Sequence, residues 1–172
     1  MFSKALTSIL MALFAAHLIS AHFTLDFPAT RGFDEDKEAS FCGGFSVPTN
    51  SSGRTKFPLS GLAPVRITSH HQKAEVTILL SVKPNPTSLS DFKTKGQSNC
   101  LMSYTTIVGQ GKFCFMVDVS NLASKITPAP VEGSLATIQV LFNGGDGILY
   151  QCTDVVLTQA AKIPKKELCS TF

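Results

Sequence analysis

From residue 63 onward the chain carries five stretches rich in Val, Ile, Leu, Phe and Thr: APVRIT, AEVTILLSV, KFCFMVDV, SLATIQVLFN and ILYQCTDVVL. Each shows partial two-residue alternation, the period of a strand with one buried face. In SLATIQVLFN, Leu135, Thr137, Gln139 and Leu141 alternate with Ala136, Ile138, Val140 and Phe142. The second set is the apolar one and is expected to face a core, because a pleated strand sends successive side chains to opposite faces. Turn-forming clusters separate the runs: PTNSSG, KPNPTS, GQG, TPAP and NGGDG. No sustained helical period occurs beyond the N-terminal apolar run. Short strands punctuated in this way imply an all-β fold, an antiparallel β-sandwich of the immunoglobulin/fibronectin-like kind. Segment 22–60 is less regular, and its charged run Asp34-Glu35-Asp36-Lys37-Glu38 reads as a solvated loop. Residues 121–133, NLASKITPAPVEG, read as a connection inside the domain.

The N-terminus reads as an export signal. Met1-Phe2-Ser3-Lys4 is basic and polar, SILMALFAAHLI is apolar but too short to span a bilayer, and Ile19-Ser20-Ala21 offers a small residue before a cut. Cleavage after Ala21 begins the mature chain at His22. The alternative, after Ala16, begins it at His17 and exposes Leu18 and Ile19 on the new terminus. The expected organisation is a signal peptide at 1–21, one β-sandwich domain at 22–160 and a tail at 161–172. The end, KIPKKELCSTF, is not the hydrophobic tail of a lipid-anchor signal, so a secreted, soluble monomer is expected. A formal charge of +3, one unit of which leaves with Lys4, is too weak to point to nucleic acid or an anionic membrane.

Export also frames the cysteines. Cys42, Cys100, Cys114, Cys152 and Cys169 contain no C-x-x-C pair, which favours disulfides over zinc. Two bridges and one leftover thiol is the economical count, and spacing alone does not choose the connectivity. Asn50-Ser51-Ser52 is an N-glycosylation sequon.

The mature part holds three histidines, His22, His70 and His71. A histidine at a chain terminus has a property that no internal one has: its free α-amine and its imidazole close on one metal as a chelate. One further imidazole completes three nitrogens in a T. His70 and His71 end the run PVRITSHH just before a strand, where a sandwich displays functional groups on a rigid scaffold. Copper(II) favours tetragonal N/O coordination and heads the divalent affinity series. An α-amine has an ordinary pKa of about 7.7–8.0, so the metal displaces a proton at neutral pH and affinity should fall on acidification. On the residues alone, incidental histidines are an equal reading.

The surrounding pattern resembles one family. HFTLDFPATRG at the mature start, FCGGF, SHHQKAEVTILLS, SNCL with GQGKFCF, and NGGDGILYQCTDV follow one another as in the fungal secreted copper-acquisition proteins. These share the fold of lytic polysaccharide monooxygenases without being regarded as polysaccharide-cleaving enzymes. The resemblance covers His22 to about Val156. It implies one copper(II) ion held by His22, a second histidine and an aspartate. His71 fits the second place, with His70 the fallback, since adjacent residues on an extended chain point to opposite sides. Asp146 in NGGDG is chosen for the third over Asp26, Asp118 and Asp154; as part of Gly-Asp-Gly it is also ordinary turn chemistry. The resemblance further implies bridges Cys42–Cys152 and Cys100–Cys114, and leaves Cys169 without a partner where relatives carry a Ser-rich tail and a lipid anchor.

A carboxylate ligand adds negative charge to the metal, favours the oxidised ion and occupies a coordination position that oxygen activation needs. The chain has no Trp and only Tyr104 and Tyr150, a poor basis for a sugar-stacking platform, and its 13 Phe suit a core. Copper capture or delivery at the cell surface, to a copper transporter, is therefore expected ahead of catalysis. A monooxygenase acting on chitin or cellulose is the alternative, and a metal-free adhesion module the third reading. No G-x-S-x-G, Gly-x-x-x-x-Gly-Lys or H-E-x-x-H motif is present.

Overall fold

The computed structural model describes residues 22–46 and 53–169; the expected signal peptide and the Asn50 sequon lie outside them. Among the described residues there are ten strands and no α-helix. In chain order these are β1 (Phe23–Phe27), β2 (Thr55–Pro58), β3 (Ala63–Ser69), β4 (Lys73–Ser81), β5 (Lys93–Thr94), β6 (Gln97–Ser98), β7 (Cys100–Val108), β8 (Gly111–Val117), β9 (Leu135–Asn143) and β10 (Ile148–Thr158). One sheet has the order β1-β3-β8 and the other β2-β10-β9-β4-β7, while β5 and β6 form a small separate pair. All pairings are antiparallel except β2 with β10. The larger sheet is thus mixed, not wholly antiparallel: β2 and β10 are distant in sequence and no hairpin constrains their relative direction.

The core lies between the two sheets. Phe23 and Leu25 of β1, Val65 and Ile67 of β3, and Val76, Ile78 and Leu80 of β4 pack with Ala136, Ile138, Val140 and Phe142 of β9. The β9 alternation therefore holds on its apolar side. Thr137 and Gln139, on the other side, are nevertheless fully buried as well. The cause is the irregular segment ahead of β2, which is fastened to β10. Arg31 N–H donates to Cys152 O at 2.9 Å, and the 3-10 turn Phe41–Gly44 is tied down by a Cys42–Cys152 disulfide. Gln139 Nε2 sits 3.6 Å from the Cys152 sulfur.

Thr137 belongs to a buried charge network. Its hydroxyl donates to Asp154 Oδ1 at 2.6 Å, and Arg31 grips the same carboxylate through Nε and Nη2 at 2.6 and 2.9 Å. Arg54 Nη1 lies 3.6 Å from Asp154 Oδ1 and donates to Ala136 O at 3.0 Å. Burial pulls the Arg54 guanidinium below its ordinary range, with Asp154 opposing that shift and Arg31 adding to it. One carboxylate serves two buried arginines.

The second disulfide joins Cys114 to Cys169, which corrects the Cys100–Cys114 pairing and gives Cys169 a partner. Cys100 is a free thiol, and burial pushes its pKa up. The reason is the course of the chain around the β7–β8 turn. Cys100 starts β7, far from that turn, whereas Cys114 lies close behind it, and the two strands join different sheets. The offset is about five residues of strand, roughly 17 Å. A disulfide tolerates Cα separations of only about 4.4–6.8 Å. The tail instead runs back over the smaller sheet, where Arg66 Nη1 donates to Lys166 O and Glu167 Oε2 at 2.8 and 2.7 Å. Peptide mapping of the non-reduced protein is expected to return Cys42–Cys152 and Cys114–Cys169, with Cys100 alkylated after unfolding. A Cys100–Cys114 peptide would contradict this.

Candidate metal centre

One end of the sandwich gathers the sequence-derived site residues on three different segments. His22 precedes β1, and its carbonyl accepts a hydrogen bond from His70 N–H at 3.0 Å, next to the Phe23–Ser69 pair that opens the β1–β3 ladder. Residue 22 is therefore held beside the turn that carries His70 and His71. Asp146 lies in the β9–β10 turn. The pairings of Asn143 with both Glu75 and Ile148 set that turn beside the start of β4, just after the histidine turn.

The side chains are disposed as follows. His70 is exposed, and its carbonyl accepts from Gln110 Nε2 at 2.7 Å. His71 Nδ1 donates to Lys73 O at 2.8 Å, which leaves the lone pair on Nε2. A histidine oriented by a backbone carbonyl through one ring nitrogen and free at the other is the common arrangement for a metal ligand. Asp146 is exposed. No group of three or more His, Cys, Asp or Glu side chains close enough to share a metal occurs among the described residues. The fold brings His22, His71 and Asp146 to one end without placing their side chains on a common point. The aspartates set aside in favour of Asp146 have other partners: Asp26 accepts from Thr24 and Thr68, Asp118 from Ser120, and Asp154 from Arg31.

The His22 imidazole has two carboxylate neighbours. Nδ1 donates to Glu38 Oε2 at 2.5 Å, and Nε2 lies 3.5 Å from Glu35 Oε2. Glu35 is exposed, as its place in a charged run suggests. Glu38, the last member of that run, is instead among the most buried residues of the chain, which corrects its reading as solvated. Gln151 explains how. Its Nε2 donates to Glu38 Oε1 at 3.1 Å and to Phe23 O at 2.5 Å, and its Oε1 accepts from Leu25 N–H at 2.9 Å. Tyr150 N–H donates to Glu38 O at 2.8 Å. One strand of the larger sheet thus fixes both the backbone of β1 and the carboxylate that faces His22. Neither Glu38 nor Gln151 was visible as a site residue in the sequence.

The donor types at this end, imidazoles and carboxylates, suit a borderline divalent ion such as copper(II). Comparison with known proteins agrees with that chemistry. The chain matches the family described as copper acquisition factor BIM1-like over residues 20–171. It is 44% identical over 168 residues to copper acquisition factor BIM1 of Cryptococcus neoformans var. neoformans serotype D, covering 96% of this chain and 73% of that protein. The BIM1 of C. neoformans var. grubii serotype A is 41% identical over the same length, with the same coverage. An uncharacterized protein of Aspergillus fumigatus is 34% identical over 163 residues, covering 90% of this chain and 61% of that one. A β-sandwich that assembles histidines and carboxylates at one end, with this similarity along nearly its whole length, belongs to the copper acquisition factor family, and its role is copper-related.

Proposed function

We propose that the chain is exported, cut after Ala21, and binds one copper(II) ion through the α-amine and imidazole of His22, the imidazole of His71 and the carboxylate of Asp146. The observation that carries this reading is the hydrogen bond from His70 N–H to His22 O, which fixes the future first residue beside the histidine turn. The Nδ1 contact of His71 with Lys73 O supports His71 over His70 as the second ring, because it leaves Nε2 available. The protein acts in copper capture, passing the ion as a monomer to a copper transporter at the cell surface. The ion is cargo.

Polysaccharide oxidation is not part of this reading. A carboxylate at the metal raises the cost of reducing it, and the sequence, with no Trp and only two Tyr, is poor in the side chains that stack on sugars. Two measurements test the proposal. N-terminal sequencing of the exported protein should begin at His22, and any other start removes the chelate. Mass spectrometry of chitin and cellulose incubated with the copper-loaded protein, a reductant and oxygen or peroxide should show no oxidised oligosaccharides. Their appearance would overturn the non-catalytic assignment.

A further inference from the structure

Glu38 is the buried carboxylate at this end that the ligand set above leaves unused. Its side chain is 2% exposed, and every part of it is held: Oε1 by Gln151, the backbone carbonyl by Tyr150, and Oε2 by the His22 imidazole at 2.5 Å. Gln151 is itself locked onto the backbone of β1 through Phe23 O and Leu25 N. The carboxylate therefore has a fixed direction, and it is aimed at His22.

We propose that Glu38 is a copper ligand, a second carboxylate donor beside Asp146. The inference rests on the function proposed above. A chelate that includes the α-amine of His22 closes a six-membered ring through Nδ1, whereas Nε2 would require a strained seven-membered one spanning the imidazole. Nδ1 is the nitrogen that donates to Glu38. Copper that takes Nδ1 removes the N–H that this carboxylate accepts, leaving a buried charge short of its partner. Such a loss is strongly unfavourable unless another cation re-pairs it. The incoming ion is that cation.

Geometry permits the exchange with little movement. Two donors each about 2.0 Å from one metal and at right angles to each other stand about 2.8 Å apart. Glu38 Oε2 and His22 Nδ1 are already 2.5 Å apart, so a shift of a few tenths of an ångström lets both face one ion. Two carboxylates balance the charge of a dication, so the site favours copper(II) over copper(I).

The test uses the chain beginning at His22, with copper(II) as the only ligand added. Glu38→Gln keeps the side-chain shape and removes the charge. Its copper(II) affinity is expected to fall at least about tenfold, and its spin-resonance spectrum to show a changed copper hyperfine coupling. Glu38→Asp retains the charge but withdraws it by one methylene; it should alter the spectrum while circular dichroism reports the native fold. This second variant carries the test if Glu38→Gln does not fold. Unchanged affinity and spectrum in a folded variant would overturn the assignment. Tighter binding by Glu38→Gln would also overturn it, since Glu38 would then compete with the ion. If the unaltered chain binds no copper, the proposed function fails; if it binds and the folded variants match it, only the role of Glu38 fails.

Discussion

Copper(II) titrated calorimetrically into a chain that begins at His22 is expected to fill one tight site. The same chain with one extra residue before His22 should bind at least about 100-fold more weakly, roughly 2.7 kcal/mol. The extra residue changes no side chain and no charge in the fold. It converts the amine of residue 22 into an amide, which is not basic, and moves the free amine out of the six-membered ring that His22 would close with its own imidazole. Loss of Asp146 by contrast removes a single donor and should weaken binding less. Equal affinity of the two N-terminal forms would exclude the terminal chelate and, with it, the reason for a histidine at that position.

Asp154→Asn is expected to destabilise the protein by about 3–5 kcal/mol, measured as a lowered midpoint of chemical denaturation with an unchanged slope. Among the described residues, Asp154 is the one carboxylate within ion-pair distance of both Arg31 and Arg54, whose side chains are almost wholly buried. Neutralising it leaves two guanidinium groups close together out of water. Both arginines retain some carbonyl partners, Phe45 O for Arg31 and Ala136 O and Pro84 O for Arg54, which limits the loss but does not cancel the charge. A change below about 1 kcal/mol, the typical value for an exposed pair, would mean that water reaches this network.

The strands that were legible in the sequence are those with one apolar face against the core. β3, β4, β8, β9 and β10 each match, to within a residue or two at either end, one of the runs that alternation marks. β1, β2, β5, β6 and β7 were not marked, for separate physical reasons. β1, β2, β5 and β6 are short, and β7 is an edge strand whose residues are mostly exposed or half-buried, so its apolar pattern is weak. Gln139 and Thr137 follow the pattern of a solvent face, yet the disulfide turn and the Arg31 network cover them. Local periodicity carries no information about a segment that returns from more than a hundred residues away. The same limit hid Glu38. Nothing within the run Asp34–Glu38 distinguishes its last acid from the others. The distinction comes from Gln151 and from residue 22, which meet it only after folding. His22 was singled out on a different basis, an expected cleavage after Ala21 and not any local pattern.

A free chain end ordinarily frays, and whatever it grips it must first be immobilised to grip. Here the bond from His70 continues the β1–β3 ladder to residue 22, the proposed start of the mature chain. For the proposed chelate, the loss of motion is therefore largely met when the domain folds, and rapid, tight capture is expected. The converse is a route for release. Peeling β1 away from β3 would set the amine loose along with its own ring, so a recipient able to loosen that short strand could take the ion without having to outcompete an intact cage.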